Sequence, residues 1–209
     1  MKAFIYTGGS ICPDGIYDRP EGDDITIAAD SGIKNAAALG VSVNFAVGDF
    51  DSFPEAEIPK QAEILTVPAE KDFTDTQLAV DVALSKEATE LVIIGGLSGR
   101  VDHTLSNLGL LEKLYKMGIR ALLTDGNNRI RYINGTSELI PRSHFRYFSI
   151  LAVDSKVRGV SVEGGKYPLK KACLYRENQF AVSNEIEKNC ALISVKKGGI
   201  FIVESRDPL

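Results

Sequence analysis

The clearest structural signal in the chain is Leu91-Val92-Ile93-Ile94-Gly95-Gly96-Leu97-Ser98-Gly99-Arg100-Val101-Asp102-His103-Thr104-Leu105-Ser106-Asn107. Its first four residues are apolar and rich in β-branching, and read as a buried strand. Glycines then make a turn, after which Leu105, Leu108, Leu111 and Tyr115 recur at helical spacing up to a stop at Gly118. Strand, glycine turn, helix is the expected order. Glycines let backbone N–H groups approach a ligand, and a helix start adds unpaired donors and positive dipole. Arg100 brings a charged fork suited to phosphate. Gly96, Gly99, Arg100, Asp102, His103 and Asn107 are therefore candidate ligand contacts. A capped turn would account for the glycines alone; Arg, Asp, His and Asn behind them favour a bound polar ligand.

Upstream, the same alternation recurs. Residues 3–6, 25–29, 43–47 and 64–67 read as strands, and 121–123 as another downstream. Helices are expected after residue 32, with Ile33, Ala36, Ala37 and Gly40 marking the inner face and end, and from about Thr74, with Leu78, Ala79, Val82 and Ala83 inward. Residues 12–24, rich in Pro, Gly and Asp, read as a loop; whether it acts as a lid is open at this level. Alternating strands and helices imply an α/β unit with a mostly parallel sheet covered on both faces. After Asp125-Gly126-Asn127-Asn128 the pattern changes to short β-rich runs at 130–133, 147–153, 172–175, 191–195 and 200–203. The expected organisation is an α/β domain over residues 1–125 and an all-β sandwich over 126–209.

In open α/β sheets, ligands bind beyond the carboxyl ends of the strands. Four strands here place polar chemistry there: Asp30-Ser31 after the second, Asp49 and Asp51 after the third, Lys71, Asp72, Thr74 and Asp75 after the fourth, and Arg100 with Asp102 after the next. A single such Asp is ordinarily a turn residue or cap, and either Thr74 or Asp72 suits the N-cap of the next helix. As a group, converging carboxylates repel and need a hard divalent cation. Mg²⁺ on Asp49, Asp51 and Asp75, beside Arg100 and Lys71, would make a phosphate-transfer site. His103 is either a proton carrier or phosphate contact, or an orienting residue. Neither G-x-x-x-x-G-K-[ST] nor G-x-G-x-x-G is present, and there is no G-x-S-x-G elbow for a Ser98–His103 nucleophile.

Composition narrows the class. A chain of 209 residues with a formal charge of −4 offers no basic face for nucleic acid or anionic membrane. Cys12, Cys173 and Cys190 are odd in number and lack CxxC spacing, which favours a reducing, cytoplasmic setting over a disulfide framework. No segment has the length and apolarity of a bilayer span.

Taken in order, Asp30-Ser31-Gly32, Gly48-Asp49-Phe50-Asp51-Ser52, Lys71-Asp72-Phe73-Thr74-Asp75, Gly95-Gly96-x-x-Gly99-Arg100-x-Asp102-His103-x-x-x-Asn107, Gly159 to Leu169, and Ser183-Asn184-Glu185 resemble the thiamine pyrophosphokinase family. The resemblance spans nearly the whole chain. It implies an α/β catalytic domain followed by a β-sandwich, acting as a homodimer. It implies transfer of the pyrophosphoryl group of ATP, with Mg²⁺, to the hydroxyl of thiamine, leaving AMP. Metal and phosphate roles fall on Asp49, Asp51 and Asp75, with Asp30, Arg100 and Asp102 in support, and thiamine contacts on Ser183 and Asn184. Either Asp75 or Asp102 is the candidate acceptor of the hydroxyl proton. The family's eukaryotic members pack a tryptophan on thiamine; this chain has none, so its thiamine platform is unassigned. The competing expectations are another Mg-dependent phosphotransfer or nucleotide hydrolysis, and a non-catalytic thiamine or nucleotide binder.

Overall fold

The structure, a computed structural model of the chain, describes residues 1–48, 50, 59–66 and 73–207. By internal packing the chain divides into two units, Met1–Gly126 and Asn127–Leu209.

In the first unit the strands are β1 (Lys2–Tyr6), β2 (Ile25–Ala29), β3 (Phe45–Gly48), β4 (Glu63–Thr66), β5 (Glu90–Ile94) and β6 (Arg120–Thr124). They lie in the order β4-β3-β2-β1-β5-β6 and every pairing is parallel. The helices are α1 (Gly32–Ala38), α2 (Asp75–Ser85) and α3 (Val101–Lys116). Strand order reverses at β1 and β5: the chain builds outward from β1 to β4, then returns to the other side of β1. Such a reversal parts the loops at the carboxyl ends and leaves a crevice there.

The central strands are apolar on both sides because both faces of a parallel sheet are covered. Phe4 and Tyr6 of β1 pack with Ala28, Ile16, Ile33 and Ala36, so α1 and the segment before β2 close one face. Each such aromatic burial stabilises by about 1.5–3 kcal/mol. Residues 12–24 are anchored rather than loose at their start, with Ile16 buried in that cluster and Cys12 N–H donating to Asp125 O at 2.7 Å. Ala79, Val80 and Ala83 of α2 and Leu110, Leu111 and Leu114 of α3 are buried as well.

Helix faces depart from the sequence expectation in detail. In α3 the inward stripe is Asn107, Leu110, Leu111 and Leu114, while Leu105 is 63% exposed. Leucines at 105, 108, 110, 111 and 114 suit two overlapping stripes, and the one holding a polar residue prevails because Asn107 has a bond to make inside. In α2, Val80 is buried and Val82 only half-buried; in α1, Ala37 is exposed and Gly40 lies beyond the helix end.

The second unit is all-β. Strands β7 (Asn128–Asn134), β13 (Gly199–Ser205) and β9 (Tyr147–Ala152) form one antiparallel group, in that order. Strands β11 (Leu169–Tyr175), β10 (Lys156–Glu163), β12 (Cys190–Ser194) and β8 (Ser137–Pro141) form the other. Buried and part-exposed residues alternate along β9 and β13, as expected where only one face meets the core. On that face Glu204, 2% exposed, accepts from Arg129 through both carboxylate oxygens (2.8 and 3.0 Å) and from Arg131 at 2.7 Å. Arg131 also reaches Glu138 at 2.7 Å. Strands β8 and β10 have no counterpart among the runs expected from sequence. Strand β8, Ser137-Glu138-Leu139-Ile140-Pro141, has only two adjacent large apolar residues, while polar residues alternate along β10 and Gly159 interrupts it with φ +69° where its register against β11 shifts.

Candidate active site

Two glycine-bearing loops meet at the crevice between β1 and β5. After β1, Thr7 N–H continues the ladder to Ile94 O at 2.8 Å. The chain then turns through Gly8 and Gly9. After β5, Gly95 donates to Thr124 O at 2.8 Å and Gly96 to Gly8 O at 2.9 Å, so each loop is a backbone partner of the other. Gly96 has φ +70°, and a Cβ there would stand 2.5 Å from Asn107 Nδ2. The close approach serves a bond: Asn107, 3% exposed, donates to Gly96 O at 3.0 Å and pins the turn to α3. Ser98 Oγ accepts from Ser10 N–H at 2.7 Å, tying the loops a second time.

These loops border a cleft of about 350 Å³ whose walls include Asp30, Ser31, Thr74, Asp75, Gly96, Gly99, Arg100, His103 and Asn107. Nine expected site residues, far apart in sequence, thus line one cavity. Asp30 sits in its wall with φ +46°, a left-handed backbone that Asp tolerates better than most residues. Its N–H bonds Val47 O at 2.8 Å, which fixes the strained turn to β3. Thr74 is the N-cap of α2, its hydroxyl accepting from Gln77 N–H at 3.2 Å, and Asp75 opens the first turn, where the helix dipole favours a carboxylate.

Asp102 stands apart from the residues lining the cleft. Its carboxylate pairs with the Arg100 guanidinium, and this hydrogen bond holds its carboxyl below the usual aspartate range. Asp49, Asp51 and Lys71 lie outside the described residues. Hard oxygen donors from Asp30 and Asp75 fit Mg²⁺ in kind. Thr7, Gly8, Gly9 and Ser98 also line the cleft, and Asn35 of α1 supports it; sequence reasoning missed all five. The available signal was Thr7-Gly8-Gly9-Ser10 directly after a buried strand.

A larger cleft, about 410 Å³, lies by Arg19, Asp24, Thr26 and Asn44, at the amino ends of β2 and β3. Thr26 Oγ1 donates to Asn44 Oδ1 at 2.8 Å there, at the opposite end of β2 from Asp30. Size alone does not make it the site.

In the second unit Asn184 bonds Tyr167 through both its side-chain oxygen, 3.0 Å from Tyr167 N, and its nitrogen, 2.8 Å from Tyr167 O. It thereby fixes the wall of an apolar hollow of about 270 Å³, bordered by Phe148, Ile150, Leu169, Tyr167 and Phe180. Ser183 is exposed beside it with φ +55°, its N–H donating to Ser149 Oγ at 3.0 Å. Of the two expected thiamine contacts, Asn184 lines the hollow and Ser183 does not, although both its chain neighbours do.

Sequence and structure comparisons agree with each other. The "Thiamin pyrophosphokinase, catalytic domain" profile matches residues 20–123, and the "Thiamin pyrophosphokinase, vitamin B1 binding domain" profile matches 136–200. Thiamine pyrophosphokinase of Bacillus subtilis is 34% identical over 97% of this chain and 98% of its own. Thiamin pyrophosphokinase 1 of Caenorhabditis elegans is 27% identical over 75% and 68%. A crystal structure of the B. subtilis enzyme superposes with a TM-score of 0.89 over 100% of both chains, at 28% identity.

Proposed function

The chain belongs to the thiamine pyrophosphokinase family, and on that premise we propose that the cleft between β1 and β5 holds the polyphosphate of ATP together with Mg²⁺. The activity is that of the family: the pyrophosphoryl group of ATP passes to the hydroxyl of thiamine, giving thiamine diphosphate and AMP.

Arg100 extends its guanidinium to the phosphates from the start of α3, and the glycine turns bring backbone N–H groups beside it. Asp75 of the cleft, with Asp49 and Asp51 of the separate Gly48–Ser52 motif, would hold the metal, and Asp30 would support it. When bound, Mg²⁺ supplies neutralisation of charge on the transferred group. Transfer of this kind has a loose transition state, so positioning and charge carry the rate more than a strong base does. Asp75, within the cleft, is the better placed of the two candidate acceptors for the hydroxyl proton, since the Asp102 oxygens already serve Arg100. His103, at the rim, is a phosphate contact, and Ser31 and Thr74 complete the wall; Lys71 adds a further cation by its place in the motif.

For thiamine we assign the hollow of the second unit. Its aromatic rim, Tyr167 and Phe180, offers ring faces to a cationic heterocycle, with the Ser183 hydroxyl alongside. A homodimer is proposed on the family resemblance, and a cytoplasmic setting suits three cysteines none of which is in a disulfide.

The observation carrying this reading is the convergence of two glycine loops, Asp30, Asp75 and Arg100 on one cleft. The protein incubated with thiamine, ATP and Mg²⁺ is expected to make AMP in step with thiamine diphosphate. ADP in its place would overturn the phosphate assignments.

A further inference from the structure

The loop after β1 is held in an unusual way for a turn beside a polar cleft: three successive carbonyls are all taken up by hydrogen-bond donors of the two flanking elements, α1 and the loop after β5. Thr7 O and Gly9 O accept from the same group, Asn35 Nδ2, at 2.7 and 2.9 Å. Gly8 O, between them, accepts from Gly96 N–H at 2.9 Å. A side-chain amide nitrogen has two hydrogens, and here both are engaged. Two acceptors fix which end of the amide faces the loop, because its oxygen would repel both.

The peptide bonds in this segment are trans, so each C=O points opposite to the N–H of the next residue. The Gly8 N–H therefore points away from Asn35, and the Gly9 N–H away from Gly96. Both glycines line the cleft. We infer that Asn35 is a positioning residue for the polyphosphate end of the ATP site. Its amide holds Thr7 O and Gly9 O, keeping the negative ends of those two dipoles off the phosphates, and through Thr7 O it orients the Gly8 N–H for them. Asn107 does for Gly96 O what Asn35 does for Thr7 O and Gly9 O, so each wall of the crevice has one helix-borne amide behind it. The inference rests on the reading of this cleft as the ATP site.

Asn35 touches no ligand in this role, so the test must separate orientation of the loop from general loosening. Binding of ATP, tripolyphosphate and adenosine is measured by calorimetry with Mg²⁺ for wild type, Asn35→Ala, Asn35→Asp and Asn35→Ser, with KM for thiamine alongside. Losing two hydrogen bonds to the loop is expected to weaken ATP and tripolyphosphate by about tenfold or more in Asn35→Ala. Asn35→Asp, which sets a carboxylate against two carbonyls, is expected to be worse, and Asn35→Ser, which keeps one donor, to fall between. Adenosine affinity and thiamine KM should stay within about twofold of wild type. Equal weakening of adenosine and tripolyphosphate, or no weakening of either, would overturn the inference. If the wild-type protein itself fails to bind tripolyphosphate, the ATP-site reading fails instead, and the two failures are told apart.

Discussion

Arg100 grips Asp102 through two atoms: Nη2 lies 2.5 Å from Oδ2 and Nε 3.2 Å from Oδ1, and the same Oδ1 accepts a 3.0 Å hydrogen bond from His103 N–H. A guanidinium fork and a helix N-terminal amide are the donors a phosphate would take, and a carboxylate already satisfies them. Both side chains are well exposed, so the pair is cheap to exchange. Arg100 can therefore leave Asp102 for a substrate phosphate.

Replacing Arg100 by Ala should lower kcat/KM by about 100- to 1,000-fold, the usual scale for one transition-state donor. Asp102→Asn should cost far less. A carboxyl held low contributes above its unfolded-state pKa and loses that contribution only as pH falls through the lower folded value. The ratio of wild-type to Asp102→Asn activity should thus be constant from about pH 5 to about pH 9. A ratio that converges near the acid end would mean Asp102 titrates there.

Asp51→Asn should abolish AMP formation with melting unchanged, and Asp75→Asn should raise the Mg²⁺ concentration needed for half-maximal rate. A Mg²⁺ titration of each purified variant decides both. Near-normal turnover by Asp51→Asn would sink the metal assignment.

Gly96→Ala sets a methyl 2.5 Å from Asn107 Nδ2 in a left-handed backbone. The conformation alone costs about 1–2 kcal/mol. Melting should drop and KM for ATP rise, while KM for thiamine holds. An unchanged ATP KM would place the turn outside the site.

Tyr6 is fully buried in the β1–α1 core, and burial pushes its phenol up to about 12. A raised folded pKa leaves stability intact below the unfolded value, about 10, and removes it as pH climbs toward the folded one. Stability should therefore fall between those values, and less so in Tyr6→Phe. The hydroxyl has no hydrogen-bond partner among the described residues, so at neutral pH Tyr6→Phe should match or exceed wild type by about 1 kcal/mol. Urea unfolding at several pH values measures both effects.

Glu204→Gln leaves Arg129 and Arg131 buried without their shared anion. Breaking a buried pair from one side costs about 3–5 kcal/mol. Chemical denaturation reads this directly, and a loss below about 1 kcal/mol would mean the network is solvated.

Much of the first unit was legible because doubly covered parallel strands are continuous apolar runs: 91–94 and 25–29 stand out without any partner in view. The cleft-lining turns were legible too, since Asp30, Asp75 and Arg100 each come after a strand. Side-chain direction was harder. Asn107 has the chemistry of a ligand contact, but its amide is committed to Gly96 O, and the leucine stripe turns with it. Thr7-Gly8-Gly9 reads as mere punctuation in the sequence because its value depends on β5, which is remote along the chain and adjacent only in the sheet. Strand β10 is hidden by alternation and a bulged ladder, and β8 by its brevity, with only Leu139 and Ile140 apolar before Pro141.

The central position of β1 has a consequence for how the chain reaches this state. Lys2 is in register with Glu90 and Tyr6 with Ile94, so one edge of β1 stays unsatisfied until β5 emerges. Pairings between such distant segments are slow to form, because a long loop must close before any contact repays the lost entropy. During synthesis an apolar ribbon waits with an open edge, a template for pairing with other chains. The arrangement that creates the crevice also delays the closing of the sheet's centre until β5 is made.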